Sequence, residues 1–154
     1  MAQDVVLKCQ WAPAQGEQMS TPGGETYYRV SPTSWQRFDA GRWVPMPCTT
    51  GVTPFDAAEV MGPNDPRTLE CAASSSDVEY RWQLSGEHRR VIDGTYYSGS
   101  FATEVYIIDR TSGQIRSTFV QEQEFRSGTK VRQSLSMEGV CERAPEPAAA
   151  QPLF

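Results

Sequence analysis

One histidine, four cysteines and a scatter of carboxylates are the groups with which this chain could do chemistry. His88 is the only imidazole, so any Ser–His–acid relay must run through it. It stands in "GEHRRV", which reads as a polar turn, and no GxSxG elbow supplies a nucleophile. His88 is therefore read as a loop histidine. Cys9, Cys48, Cys71 and Cys141 are widely spaced and form no CxxC pair, whereas zinc favours closer ligand pairs. An even number of dispersed cysteines reads as two disulfides, and paired sulfurs are not nucleophiles.

Carboxylates and glycine loops are weaker signals. "FDAAEVMGPNDP" offers Asp56, Glu59 and Asp65 as hard oxygen ligands, but without the DxDxDG spacing of a calcium loop. The reading there is a charged helix start and a solvated loop. A glycosidase pair of acids, roughly 5–10 Å apart in space, would lie far apart in sequence, and nothing singles one out. "STPGGE" lacks the GK[ST] ending of a phosphate loop. No catalytic residue, metal ligand or cofactor is assigned.

The aromatics are the better lead. Tyr27, Tyr28, Trp35, Trp43, Tyr96 and Tyr97 fall in β-rich runs and turns. In "TYYRV" and "GTYYSGSF" the adjacent tyrosines must point to opposite faces, which puts one of each pair on the surface. Tyr27, Trp35, Trp43 and Tyr97 are the candidate binding surface, since exposed Tyr and Trp combine apolar area with a polar tip. The competing reading is cross-strand aromatic packing that stabilises the sheet.

Composition narrows the class. The 154 residues are the size of one domain, and 38% hydrophobic with 10% aromatic residues support a folded core. A net charge of −5 argues against nucleic acid and against anionic membrane surfaces. No apolar run approaches the ~20 residues of a membrane span. The basic residues are twelve Arg and two Lys, and Asn64 is the only Asn, a bias that suggests a high-GC bacterial genome. Disulfides imply an oxidising compartment, periplasmic or secreted. No signal peptide is present, and Met1-Ala2-Gln3-Asp4 reads as a mature N-terminus behind a small-residue cleavage site, with an added Met.

The elements that must position these residues are strands. "DVVLKCQW" puts Val5, Leu7, Cys9 and Trp11 on one face at period two, and "ETYYRVS" does the same with Tyr28 and Val30. "SWQRFDAGRWVPM" reads as a hairpin turning at Asp39-Ala40-Gly41. Residues 49–67 form a linker in which Thr53, Pro54 and Gly62 frame one short helix. In "RTLECAAS" Leu69, Cys71 and Ala73 share a face. In "DVEYRWQLSG" Val78, Tyr80, Trp82 and Leu84 form one apolar face. Residues 85–99 contain Gly86, Gly94 and Gly99 and read as mostly turn. A hairpin follows over 103–120, with Ile107 or Ile108 inward, Asp109 and Ser112 bonding the turn and Gly113 at positive φ. Val131, Leu135, Met137 and Cys141 share the last apolar face.

These patterns predict a single all-β antiparallel domain over 4–144, a sandwich or an up-and-down barrel with two disulfides and at most one short helix. Blocks 4–48 and 68–144 are joined by the linker 49–67, and the Pro/Ala-rich tail 145–154 is expected to be flexible. Sequential pairing, Cys9–Cys48 and Cys71–Cys141, would staple each block, at on the order of 4 kcal/mol per loop. Pairing Cys9–Cys141 with Cys48–Cys71 would suit a barrel whose terminal strands meet.

"YIIDRTSGQI" with a closing "EGVC" before a Pro-rich terminus resembles a hairpin-plus-cysteine ending in uncharacterised small secreted or periplasmic proteins of alphaproteobacteria. The resemblance implies compartment and no activity. Three functions follow as expectations. The first is a non-catalytic periplasmic or secreted module that binds an envelope or extracellular protein or glycan. The second is a lipocalin-like barrel around a small apolar ligand. The third is a carboxylate-dependent hydrolase.

Overall fold

The computed structural model describes residues 4–46, 67–92, 95–124 and 128–148, with the side chains of 67–69, 87–92 and 95–100 outside that description. Eleven strands make up its regular structure: β1 (Val5–Trp11), β2 (Ala14–Gln15), β3 (Ser20–Thr21), β4 (Gly24–Val30), β5 (Trp35–Asp39), β6 (Arg42–Pro45), β7 (Arg67–Ser75), β8 (Glu79–Ile92), β9 (Thr95–Asp109), β10 (Gln114–Glu124) and β11 (Lys130–Arg143). Nine of them form one antiparallel sheet in the order β6-β5-β4-β1-β11-β10-β9-β8-β7, and β2 pairs with β3. The sheet curls into a half-barrel. It is neither two packed sheets nor a closed cylinder, because among the described residues β6 and β7 remain edges and do not pair with each other.

The strand order contains one instructive junction. β1 and β4–β6 form an N-terminal wing, and β7–β11 form a C-terminal wing. They meet where β1 pairs antiparallel with β11, in a register that sets Leu7 opposite Arg143 and Cys9 opposite Cys141. Hydrogen bonds from Ala12 N to Glu138 O (2.9 Å) and Ala144 N to Val6 O (3.1 Å) fix the bonded pairs, so Cys9 and Cys141 face each other at a non-bonded pair. Side chains stand closest there, and the two sulfurs are joined across a sequence separation of 132. This corrects the sequential pairing, which treated each block as its own closed loop. The disulfide instead clamps the seam between the blocks. Among the described residues no cysteine is free, and Cys71 has a partner too. Cys48 lies outside the described residues.

Period-two alternation explains the core. Leu7, Cys9 and Trp11 of β1, Tyr28 and Val30 of β4, and Trp35 of β5 are buried on the concave face. Tyr80, Trp82 and Leu84 of β8, Tyr106 and Ile108 of β9, Ile115 of β10 and Cys141 of β11 meet them from the other wing. Tyr106 is the hub: its ring centroid lies 5.8 Å from Trp82, 6.1 Å from Trp11 and Trp35, and 6.3 Å from Tyr28. Most of these contacts are edge-on or tilted, the arrangement the ring quadrupoles favour, at about 0.5–1.5 kcal/mol per pair beyond burial. One tyrosine thus ties both wings together over the concave face.

The loop after β1 repairs a gap. β11 runs on past the end of β1, and residue Glu17 fills the exposed side by bridging to Ser134, whose N–H donates to Glu17 O at 3.0 Å. Gly16 passes so close that a Cβ there would stand 1.9 Å from Ser134 O, so only glycine fits.

Several expectations are corrected. Residues 85–92 and 95–99 lie inside β8 and β9, which are long strands of 14 and 15 residues rather than a turn region. His88 accordingly sits in the ladder between Arg67 and Ser100. Val78 precedes β8 in the connection from β7 and is 62% exposed, so it does not extend the Tyr80–Trp82–Leu84 face. The short helix expected around Thr53–Gly62 lies outside the described residues. The two hairpins fold as read. Ala40 (φ 51°) and Gly41 (φ 79°) make a two-residue turn between β5 and β6. At the other, Asp109 Oδ1 accepts from Thr111 N (2.8 Å) and Ser112 N (2.9 Å), and Gly113 takes φ 79°. Those two donors hold the Asp109 carboxyl below its ordinary value.

Candidate functional site

Residues between the buried positions of β4, β5 and β6 face the opposite way and form the convex surface of the N-terminal wing. The register sets Arg29 beside Gln36, and Phe38 beside Trp43. The Phe38 and Trp43 rings meet edge to face at 5.2 Å. The Arg29 guanidinium lies over the Trp43 ring, 4.4 Å from its centroid, and Arg29 Nη1 donates to Gln36 Oε1 at 3.4 Å. A cation over an indole contributes about 0.5–1 kcal/mol at such half-exposed positions.

A residue from the tail completes the group. After β11, the hydrogen bond from Ala144 N to Val6 O directs the chain across the convex face. Glu146 then lands on Arg29 and Trp43 together. One carboxylate oxygen accepts from Arg29 Nη2, and the other accepts from Trp43 Nε1 at 2.8 Å. The indole N–H and the Arg29 guanidinium hold the Glu146 carboxyl below its ordinary value of 4.5. The local chemistry is two donors beside an aromatic pair, matched to the two oxygens of one carboxylate.

The residues named from sequence are placed as follows. Tyr27 and Trp43 lie on this convex face, half-buried. Trp35 does not belong with them: it is 3% exposed, in the core against Tyr28 at 5.8 Å. Its position is one of the odd-numbered residues of β5, which the pairing with Val30 turns to the concave side. Tyr97 lies in β9, with its side chain outside the described residues, as is that of His88. Asp56, Glu59 and Asp65 are also outside the described residues. Arg29 and Glu146 were missed. Arg29 is two residues after Tyr27 and so shares its face, which alternation alone would have shown. Glu146 is an acid flanked by Pro145 and Pro147 in an otherwise apolar tail. No local signal says where it docks.

Two other features have chemical character. Glu104, on the concave side of β9, is raised above its ordinary value by burial, while the Tyr106 hydroxyl and the Arg37 guanidinium draw it back down. Burial likewise pushes the Tyr106 hydroxyl up. A recess of about 300 Å³ opens at the seam, with Val5, Leu7, Tyr80 and Ile108 in its lining and Arg110 and Arg143 beside them. Arg110 is held in place by donation to Ser76 O at 2.7 Å and by lying 4.6 Å over the Tyr80 ring. Among the described residues no group of three His, Cys, Asp or Glu side chains could hold a metal ion. Nor is any described helix long and apolar enough to cross a membrane.

Comparison with protein-family models, curated proteins and solved structures finds no match to this chain.

Proposed function

We propose that this chain is a non-catalytic binding module of an oxidising compartment, periplasmic or secreted, and that it recognises an envelope or extracellular protein through the convex face of its N-terminal wing. The observation that supports this reading is the joint grip of Arg29 and Trp43 on one carboxylate, over an aromatic floor. Half-exposed Trp, Tyr and Arg are the residue types that carry binding energy at protein interfaces. The Cys9–Cys141 bridge supports the compartment, since such bonds persist where thiols are not kept reduced. A second bridge, Cys48–Cys71, belongs to this reading.

The test compares wild type with Trp43→Ala and Tyr27→Ser as immobilised baits in an envelope extract. The same captured protein should be retained by wild type and lost from Trp43→Ala, with the melting temperatures of the variants close to wild type. Equal retention by all three would sink the convex-face reading. Thiol titration of the denatured, unreduced chain should find no reactive thiol, and two per chain would remove the second bridge.

A second reading, a small apolar ligand in the manner of a lipocalin, draws on the seam recess. About 300 Å³ is at the lower end of ligand-pocket volumes. Native mass spectrometry of the chain isolated from its source should then show a bound small molecule that is released on denaturation.

A further inference from the structure

We infer that the segment Ala144–Ala148 is an intramolecular occupant of the convex surface, and that the partner of that surface presents an extended acidic segment in which a glutamate is flanked by prolines. This rests on the proposal that the convex face binds a protein, and it names what the face recognises.

The argument starts from the contact itself. The β1–β11 pairing carries the chain as far as Ala144, whose N–H bonds Val6 O, and nothing in that pairing requires Glu146 to lie on Arg29 and Trp43. The tail nevertheless places Glu146 so that both carboxylate oxygens are used, one by Arg29 Nη2 and one by Trp43 Nε1 at 2.8 Å. Those two donors are also tied to each other, with the guanidinium 4.4 Å from the indole centroid. Gln36 steadies the same guanidinium from the neighbouring strand at 3.4 Å. The Arg29 guanidinium is thus held by Trp43 and Gln36 as well as by the carboxylate, which lowers the ordering cost of binding one. Prolines on both sides of Glu146 restrict that stretch to extended conformations, which lowers the cost on the ligand side as well.

The occupant in trans is a different chain rather than a second copy. Glu146 is only three residues beyond the end of β11, so its effective concentration at Arg29 and Trp43 is on the order of millimolar. The tail of a second copy offers the same contacts and loses to the tethered one at any lower concentration. A heterologous segment can win by adding contacts to Tyr27 and Phe38, which stand half-buried on the same face. The tail then acts as a latch that admits only a better-fitting acidic segment.

The full chain is labelled with nitrogen-15, and the Trp43 indole N–H resonance is assigned by its loss in Trp43→Phe. The probe is the synthetic peptide Ala-Pro-Glu-Pro-Ala. Glu146→Gln should shift the indole resonance while the rest of the spectrum stays folded. Adding the peptide to Glu146→Gln should return the resonance toward its wild-type position, with an apparent affinity at least about tenfold tighter than in wild type, where the tethered tail competes. The peptide with Gln in place of Glu should have no effect. An unchanged indole resonance in Glu146→Gln, or equal peptide affinity in both chains, would overturn the latch. Dimers whose formation depends on Glu146 would overturn the heterologous partner in favour of tail exchange. Loss of the latch alongside Trp43-dependent capture from the extract leaves the convex-face proposal standing. A working latch with Trp43-independent capture removes that proposal instead.

Discussion

Trp35 and Trp43 belong to the two strands of one hairpin, on opposite faces, and their indole nitrogens have opposite environments. Among the described residues, Trp35 Nε1 is buried with no hydrogen-bond partner. Trp43 Nε1 donates to Glu146 at 2.8 Å. At Trp35 the concave face uses tryptophan for its area, packing it against Tyr28 and Tyr106, and forgoes a hydrogen bond to a described residue. The convex face uses tryptophan for its polar tip. Parity within a strand decides which: Trp35 pairs with Val30 in the row that points inward, and Trp43 pairs with Phe38 in the row that points out. Aromatic content alone therefore does not mark a binding surface. The face on which the ring lies, and the use made of its N–H, do.

If this contrast is right, damage to the concave side is paid in stability and damage to the convex side in recognition. The largest effect should come from the seam. Replacing Cys9 and Cys141 together by Ala should cost about 5 kcal/mol in the chain-entropy model, given the separation of 132, as read from urea denaturation. A loss under about 1 kcal/mol would mean that β1–β11 pairing holds the wings without the bridge. Trp82→Ala should cost about 3–5 kcal/mol, since the ring is 5% exposed and packs on Tyr106. A melt like that of wild type would break the hub description. Trp35→Phe is the sharper probe: it loses packing area but also removes a buried donor with no partner among the described residues, so its cost should be about 1 kcal/mol or less. A loss near that of Trp82→Ala would show the Trp35 N–H to be bonded in solution. Trp43→Phe should be similarly mild in stability while abolishing recognition.

The smallest effect is with pH. Glu146 is held below its ordinary 4.5 by Trp43 and Arg29, so its contact is complete at neutral pH and is lost as pH falls through the lowered value. The Trp43 indole resonance should titrate with a midpoint below 4.5. A midpoint at or above that value would mean that the carboxylate gains nothing from its two donors.

The parts of the fold written in short-range pattern were legible in the sequence. Alternation placed Leu7, Cys9, Trp11, Tyr80, Trp82 and Leu84, and turn chemistry placed Asp109, Ser112 and Gly113. Glycine misled where it was taken as punctuation. Gly86 lies inside β8 opposite Ala102, a small pair on the concave face. Val78 matched the period but not the strand, because Ser76 Oγ accepts from Val78 N and Glu79 N and ends the turn there. The disulfide pairing and the place of Glu146 depend on which strands become neighbours, and spacing along the chain does not carry that. For the candidate site, type and alternation led to Tyr27 and Trp43, which share the convex face, while Trp35 lies on the concave one, and the contact of Arg29 with Glu146 emerges only from the packed sheet.

The seam also bears on how the molecule assembles over time. β1 is made before every other strand, yet one of its two neighbours in the sheet is β11, which is made after all of them. During synthesis the N-terminal wing must wait with one long edge of β1 open, a template for pairing with another chain. Closing the seam brings together residues more than a hundred positions apart, a slow step by loop-closure entropy. The bridge between Cys9 and Cys141 can form only once β11 has arrived. It therefore seals a sheet in which both wings are already present, and a chain stopped short of β11 is left with Cys9 as a free thiol, a mark by which an oxidising compartment could retain unfinished copies.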